Sequence, residues 1–264
     1  MSMNSKVIKR HTKVTIFMHW FNAFCWFFLL ATGLGLIKNK DLQLMGGWWS
    51  NLMYSIFGSG ETLLLVHEIC GLIWLVVFIV YIIFGSKKYV IPFLKQVFTY
   101  SPATDLKWLI KKNIQMTLGY KWLKRLGFTP DIPEQGFYNV GQKLFGVASI
   151  LGAIVIAVTG LIMFLSNILL QNTGIVQWAI VIHFVAVGVV TGGLLVHIYM
   201  AAISPDERPA FFSMFTGTVP EDYAEHHHKL WYDEIKDAER KAHSASFDKL
   251  PETTLGTGRT SSSG

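Results

Sequence analysis

The chain has 264 residues, of which 52% are hydrophobic and 15% charged, with a formal net charge of +6 and a mean hydropathy of +0.40. A soluble domain typically carries about 25% charged residues, so this balance excludes one and places much of the chain in a bilayer. The net positive charge then reads as membrane topology, not as a nucleic-acid footprint.

Four apolar stretches are long enough to cross roughly 30 Å of hydrocarbon as helices. The first, about 14–37, carries His19, Trp20, Asn22, Cys25 and the pair Thr32-Gly33. It is too long, and too bulky in its Phe-rich centre, for a cleaved signal peptide, and is expected to remain as a span. The second, about 62–84, holds His67 and Cys70. A loop over 85–141 follows, in which Ala103–Gly119 reads as a basic amphipathic helix with Leu106, Leu109, Ile110 and Ile114 opposite Lys107, Lys111 and Lys112. That helix is expected along the inner membrane surface, with a partner-binding surface as the alternative. The third span covers about 143–166, and the fourth, about 175–203, carries both His183 and His197. Three adjacent histidines, His226 to His228, cannot all face one ion from a regular element and read as a solvated or partner-facing tail. The chain ends in the low-complexity run Thr260-Ser261-Ser262-Ser263-Gly264, expected to be disordered.

With alternating spans, Lys and Arg collect on one side: four in residues 1–13, nine in 85–141 and seven in 204–264, against Lys38 and Lys40 opposite. The positive-inside tendency puts both termini and the long loop in the cytoplasm. The expected organisation is an all-α integral membrane four-helix bundle over 1–204, with a cytoplasmic amphipathic helical loop at 85–141. A cytoplasmic tail over 205–264 follows, partly disordered.

This topology sets the depth of each histidine. His19 lies about two turns into a helix that starts inside, and His197 about two turns before the inner end of the last helix. His67 and His183 each follow the outer start of a helix by one and a half to two turns. On the fourth helix, fourteen residues at about 100° each leave His183 and His197 some 40° apart on one stripe, separated by roughly 21 Å. One helix can thus serve two haems stacked across the membrane. Two neutral imidazoles fill both axial positions of an iron that carries electrons and leave no open site for oxygen. Small residues at Ala186, Gly193 and Gly33 lie where a flat macrocycle needs room. Taken singly, a histidine on an apolar face is more often hydrogen-bonded to a neighbouring helix than bound to a metal. Intramembrane ionisable residues mark function, however, and four at two matched depths favour ligands. Cys25 and Cys70 are expected at different depths, packed as small apolar residues without a disulfide.

Several segments carry a family likeness: His19-Trp20, Thr32-Gly33, His67, Tyr138-Asn139-Val140-Gly141-Gln142-Lys143, Thr159-Gly160-Leu161, His183 and Val196-His197-Ile198-Tyr199-Met200-Ala201. Met214-Phe215-Thr216-Gly217-Thr218-Val219 and His227-His228-Lys229-Leu230-Trp231 complete the set. In these the chain, over most of residues 8–231, resembles the b-type cytochrome (gamma) subunit of membrane-bound formate dehydrogenases. That subunit sits within a wider group of dihaem membrane cytochromes that includes the hydrogenase b subunits.

The resemblance implies two haem b groups, the inner held by His19 and His197 and the outer by His67 and His183, in agreement with the depths. It also implies a quinone, menaquinone or ubiquinone, near Asn139, Gly141 and Gln142 beside the inner haem. There the second ring nitrogen of His197 can donate to a quinone carbonyl. Ordinary capping of the third helix by Asn139 accounts for the same residues equally well. The implied partners are an iron–sulfur subunit and a molybdenum- or tungsten-containing formate-oxidising subunit, in a bacterial inner membrane. The chain has no Cys-rich iron–sulfur pattern, Gly-rich nucleotide loop or Cys-x-x-Cys-His of its own. A hydrogenase, another molybdoenzyme or a multihaem cytochrome as donor, or reverse flow from quinol, keeps the same path. A haem-free anchor or proton-relay transporter is the alternative of a different class.

Overall fold

The computed structural model describes residues 6–129, 131–166 and 173–247. A short strand β1 (Val7–Lys9) leads into helix α1 (Lys13–Gly35), which Thr12 caps by accepting from the Thr15 amide. A second helix, α2 (Gly47–Phe57), lies between the first two spans. Helix α3 (Gly60–Gly85) is capped by Ser59 and runs on through a π-turn, Ser86–Val90, into α4 (Ile91–Phe98). Helices α5 (Pro102–Leu118) and α6 (Tyr120–Arg125) follow. The last two spans are α7 (Val140–Leu165) and α8 (Thr173–Ile198). Beyond a π-turn at Tyr199–Ile203 come α9 (Arg208–Thr216), strand β2 (Thr218–Pro220), α10 (Glu221–His227) and α11 (Lys229–Phe247).

Four helices are long and apolar enough to cross a membrane, at the places hydropathy predicts. The second is longer than expected, because 85–98 continue it instead of opening the loop. Pro92 lacks an amide hydrogen, and the Ile91 amide reaches back five residues to the Ser86 carbonyl, so the wider turn absorbs the register change before the proline.

The bundle is apolar outside, and the polar side chains of its spans turn inward. Phe24, Phe84, Val189 and Leu195 face outward, whereas Trp74 Nε1 donates to Asn22 Oδ1 at 2.9 Å between α1 and α3. Lipid cannot satisfy polar groups, so they turn toward neighbouring helices. α1 packs on α3 and α7 on α8, and the two pairs meet where α3 and α4 touch α7. Glycine sets the closeness of α7 and α8: a Cβ at Gly152 would lie 2.2 Å from Val190 Cγ2.

Cys25 and Cys70 do not lie at different depths. Their side chains are hydrogen-bonded to each other, and both thiols are free. Antiparallel neighbours bring together residues equally far from their connection, and each cysteine is ten residues from the facing helix end, Gly35 or Gly60.

The α1–α3 connection is folded. Trp49 Nε1 donates to the Ala31 carbonyl at 2.9 Å, and a Cβ at Gly35 would come within 2.7 Å of Met53 Cγ, so α2 is pressed onto the end of α1. We call this the far end of the bundle, and the opposite one, where the Lys- and Arg-rich segments gather, the basic end.

At the basic end β1 pairs antiparallel with β2, Ile8 opposite Val219. Ile8, Val219, Tyr223, Ala224 and Trp231 form a core there. Much of the expected tail, 205–247, is thus helical and docked, while Thr260–Gly264 lies outside the described residues. The triple histidine is not a solvated run. Only His226 is exposed; His227 stacks on Tyr223 at 4.6 Å, and His228 is fully buried, donating from Nδ1 to the Gly136 carbonyl at 2.7 Å.

Helix α5 forms as expected but is turned otherwise. Lys111 is buried and donates to Thr129 Oγ1 (2.8 Å) and to the Asp131 carbonyl (2.7 Å), tying down the connection that follows. Trp108 and Asp105, three and six residues earlier, are buried on the same face, and Asp105 pairs with Lys143 of α7 at 3.3 Å. Leu106 and Ile110 remain exposed.

Candidate functional site

The four intramembrane histidines form two pairs, one toward each end of the bundle. His19 lies within electrostatic range of His197, and His67 within range of His183. Each pair joins one residue from the α1–α3 half to one from α8, as the predicted depths require.

At the far end both imidazoles are held through Nδ1. The Thr32 hydroxyl gives its proton to the Phe28 carbonyl at 2.8 Å, so Oγ1 is left to accept from His67 Nδ1 at 2.8 Å. Thr159 donates in the same way to the Val155 carbonyl at 2.7 Å and faces His183 Nδ1 at 3.0 Å. His183 Nδ1 also contacts the Ile156 carbonyl at 3.1 Å, and a carbonyl only accepts, so Nδ1 carries the proton. In both rings Nε2 is then the unprotonated nitrogen, the form a metal requires.

Each of these threonines is followed by glycine, tight against the ring at Gly33 and in ordinary contact with it at Gly160. A Cβ at Gly33 would lie 3.3 Å from His67 Cε1, and one at Gly160 would lie 3.6 Å from His183 Cε1. Gly33, expected to make room for a macrocycle, makes room for the imidazole itself. Gly193 likewise accommodates the Phe145 ring, 3.2 Å from where its Cβ would be. Open space lies instead at Gly71, one turn beyond His67 on the same face, where an added Cβ meets nothing within 4 Å.

The pair at the basic end is held differently. His197 stacks on Phe145 with centroids 4.6 Å apart and 13° between planes, and His19 meets Trp20 edge-on at 5.2 Å. Trp20 Nε1 donates to the Met214 carbonyl at 2.7 Å, linking α1 to α9. The turn after α9 is tight: the Gly217 carbonyl accepts from the Arg10 and His11 amides at 2.8 and 3.0 Å. Gly217 has φ +80°, and a Cβ there would stand 2.9 Å from the His11 carbonyl oxygen, so only glycine suits the position.

Below this pair sits a buried polar cluster. Arg10 Nη2 donates to the Phe137 carbonyl at 2.7 Å, and its guanidinium lies over the Phe137 and Trp231 rings. Burial, then Arg10 and His19, push the His11 pKa down to about 4. Burial and Arg10 push His228 down to about 3, so both imidazoles are neutral. Burial acts to raise the pKa of Glu207, but the nearby His227 imidazole and the hydrogen bond from the Tyr223 hydroxyl outweigh it and hold the carboxylate at about 2.

Asn139 and Gln142 form the capping box of α7: Asn139 Oδ1 accepts from the Gln142 amide at 2.9 Å, and Gln142 Oε1 from the Asn139 amide at 3.0 Å. The helix-cap reading of these residues is realised, and it uses their oxygens, not their amide NH2 groups. Gly141 lies inside the box, its missing Cβ 3.4 Å from Asn139 Oδ1. The box is one turn from Phe145, and so from the ring stacked on His197.

Thr32 and Thr159 stand in segments of the family likeness, but sequence reasoning gave them no role. A Thr-Gly pair in the first and third spans was a partial signal, since the same dipeptide recurs at Thr191-Gly192 in the fourth. Among the described residues no three His, Cys, Asp or Glu converge on one point. Two imidazoles per site suit a metal whose other ligands come with it, as in a haem, and the proton-free Nε2 atoms and the open face at Gly71 fit that group.

A comparison with curated proteins finds no match. The family model of the prokaryotic cytochrome b561 proteins matches residues 10–217, a stretch that holds the four intramembrane histidines with Thr32-Gly33 and Thr159-Gly160. The chain therefore belongs to the prokaryotic cytochrome b561 family and is a multi-pass membrane b-type cytochrome of electron transfer.

Proposed function

We propose that the chain is the dihaem cytochrome b subunit of a formate dehydrogenase and carries electrons from an iron–sulfur partner to quinone. The observation that carries this reading is the pairing of His67 with His183 and of His19 with His197 at opposite ends of one bundle. Haem b held between two imidazoles supplies a one-electron iron couple closed to oxygen. Electrons enter at the His67/His183 pair and leave at the His19/His197 pair.

Menaquinone or ubiquinone takes them at the basic end, beside the α7 cap. Asn139 and Gln142 spend their oxygens on the cap and keep amide N–H donors for a quinone carbonyl. His197 offers its second ring nitrogen to the same substrate. With the basic end in the cytoplasm of a bacterial inner membrane, electrons move inward while protons are taken up inside, and the membrane is charged. The formate specificity and the molybdenum- or tungsten-containing partner rest on the sequence resemblance.

Single alanine variants at the four histidines test the reading. His67→Ala and His183→Ala remove one and the same spectral component, His19→Ala and His197→Ala the other, and each stops formate-driven quinone reduction in membranes. Loss of one component by His67→Ala and His197→Ala together would overturn the pairing. Full haem content without formate-driven reduction would move the donor to a hydrogenase, another molybdoenzyme or a multihaem cytochrome.

A further inference from the structure

The two ends of the bundle treat their histidines unequally. At the far end each ring is fixed by a threonine from the neighbouring helix, Thr32 on α1 for His67 and Thr159 on α7 for His183. At the basic end, among the described residues, no hydrogen bond fixes the ring of His19 or His197; their neighbours are aromatic. The far-end arrangement occurs twice on separate helix pairs, each time as a buried Thr bonded to its own preceding turn and followed by a Gly that lies against the ring. A threonine bonding only to its own helix is routine in a span. One that also accepts from a histidine across the helix interface is a positioning device.

We infer that Thr32 and Thr159 are positioning residues that fix both far-end imidazoles as Nδ1–H tautomers and make the far-end haem the lower-potential of the two. The inference rests on the bis-imidazole reading above and gives the proposed direction of flow a cause in this chain's own residues. A hydroxyl oxygen accepting from Nδ1–H draws that proton away from the ring and makes Nε2 a stronger electron donor. A stronger axial donor stabilises the oxidised iron over the reduced one and lowers the potential. With two such bonds at one end and none at the other, electron transfer from the far end to the basic end runs downhill.

Threonine-to-valine substitution keeps the shape and deletes the hydroxyl, and threonine-to-serine keeps the hydroxyl. The experiment is a spectroscopic redox titration of the full chain in detergent for Thr32→Val, Thr159→Val, Thr32→Ser and Thr159→Ser, with low-temperature electron paramagnetic resonance of the oxidised haems. Each valine variant raises the potential of the lower component alone, changing its reduced-to-oxidised ratio up to about tenfold, which is about 59 mV for one electron. Its ferric low-spin signal moves as well, and the serine variants return toward wild type. Loss of the lower component alone in a valine variant, restored by serine, supports the same assignment. Two haems whose potentials and signals are unmoved by valine, or a shift confined to the higher component, would overturn the inference while leaving the proposed function standing. A wild-type chain without two haems would overturn both.

Discussion

Gly152→Ala places one methyl group where α7 and α8 are closest. Its Cβ would stand 2.2 Å from Val190 Cγ2. Apolar carbons rest at about 3.5–4.0 Å, so more than 1 Å of overlap has to be relieved, roughly. Val190 is buried and, as a β-branched residue in a helix, holds essentially one side-chain rotamer. The helices must therefore part or the valine strain, at about 1–3 kcal/mol for overpacking of this kind. Val190→Ala alone loses packing by about 1 kcal/mol. The double variant Gly152→Ala/Val190→Ala removes the clashing methyl and should be more stable than Gly152→Ala, with a coupling of about 1–3 kcal/mol. The assay is unfolding of the detergent-solubilised chain with increasing dodecyl sulfate, followed by circular dichroism. Gly152→Ala as stable as wild type, or a double variant no better than Gly152→Ala, would refute the packing argument.

Gln142→Glu separates capping from substrate binding, because glutamate keeps the oxygen that accepts from the Asn139 amide and loses the NH2 donor. Haem spectra and thermal stability stay at wild-type values while quinone turnover slows; an unchanged turnover rate counts against a quinone at this cap. Lys111→Met leaves Thr129 and the Asp131 carbonyl without their donor and loosens the connection by about 1–3 kcal/mol. Trypsin should then cut faster at Lys121, Lys124 and Arg125 in detergent, and an unchanged cleavage rate would mean the buried lysine holds nothing.

Acid acts on the cluster at the basic end. His228 and His11 have pKa values lowered to about 3 and about 4 in the folded chain, so their contribution is complete above about 6.5 and is lost as pH falls through that window. Each group contributes a slope of about 1.4 kcal/mol per pH unit there. Glu207, held at about 2, adds its own loss only below about 4.5. Hydrogen-exchange protection in α10 and α11 should fall between pH 6.5 and 4; flat protection across that range would contradict the burial of a neutral His228.

The spans and the paired depths of the histidines were legible because both follow from length, hydropathy and the alternation of helix direction. The shared depth of Cys25 and Cys70 follows from the same alternation, but only once helix ends are known to within a turn. Three features lay outside such reasoning. Lys111 reads as the polar face of an amphipathic helix, yet two oxygen acceptors contributed by a later connection bury it. His228 reads as part of a polar tail, because nothing local shows that β2 pairs with a strand more than two hundred residues away. Thr32 and Thr159 read as ordinary span residues, since their second hydrogen bond is made across a helix interface.

The most direct test of the central claim is a dithionite-reduced minus oxidised spectrum of the purified chain, with haem extracted and counted per chain. Two b-type haems per chain is the result this account predicts. One haem, or none, would contradict it and return at least one histidine pair to structure or proton relay.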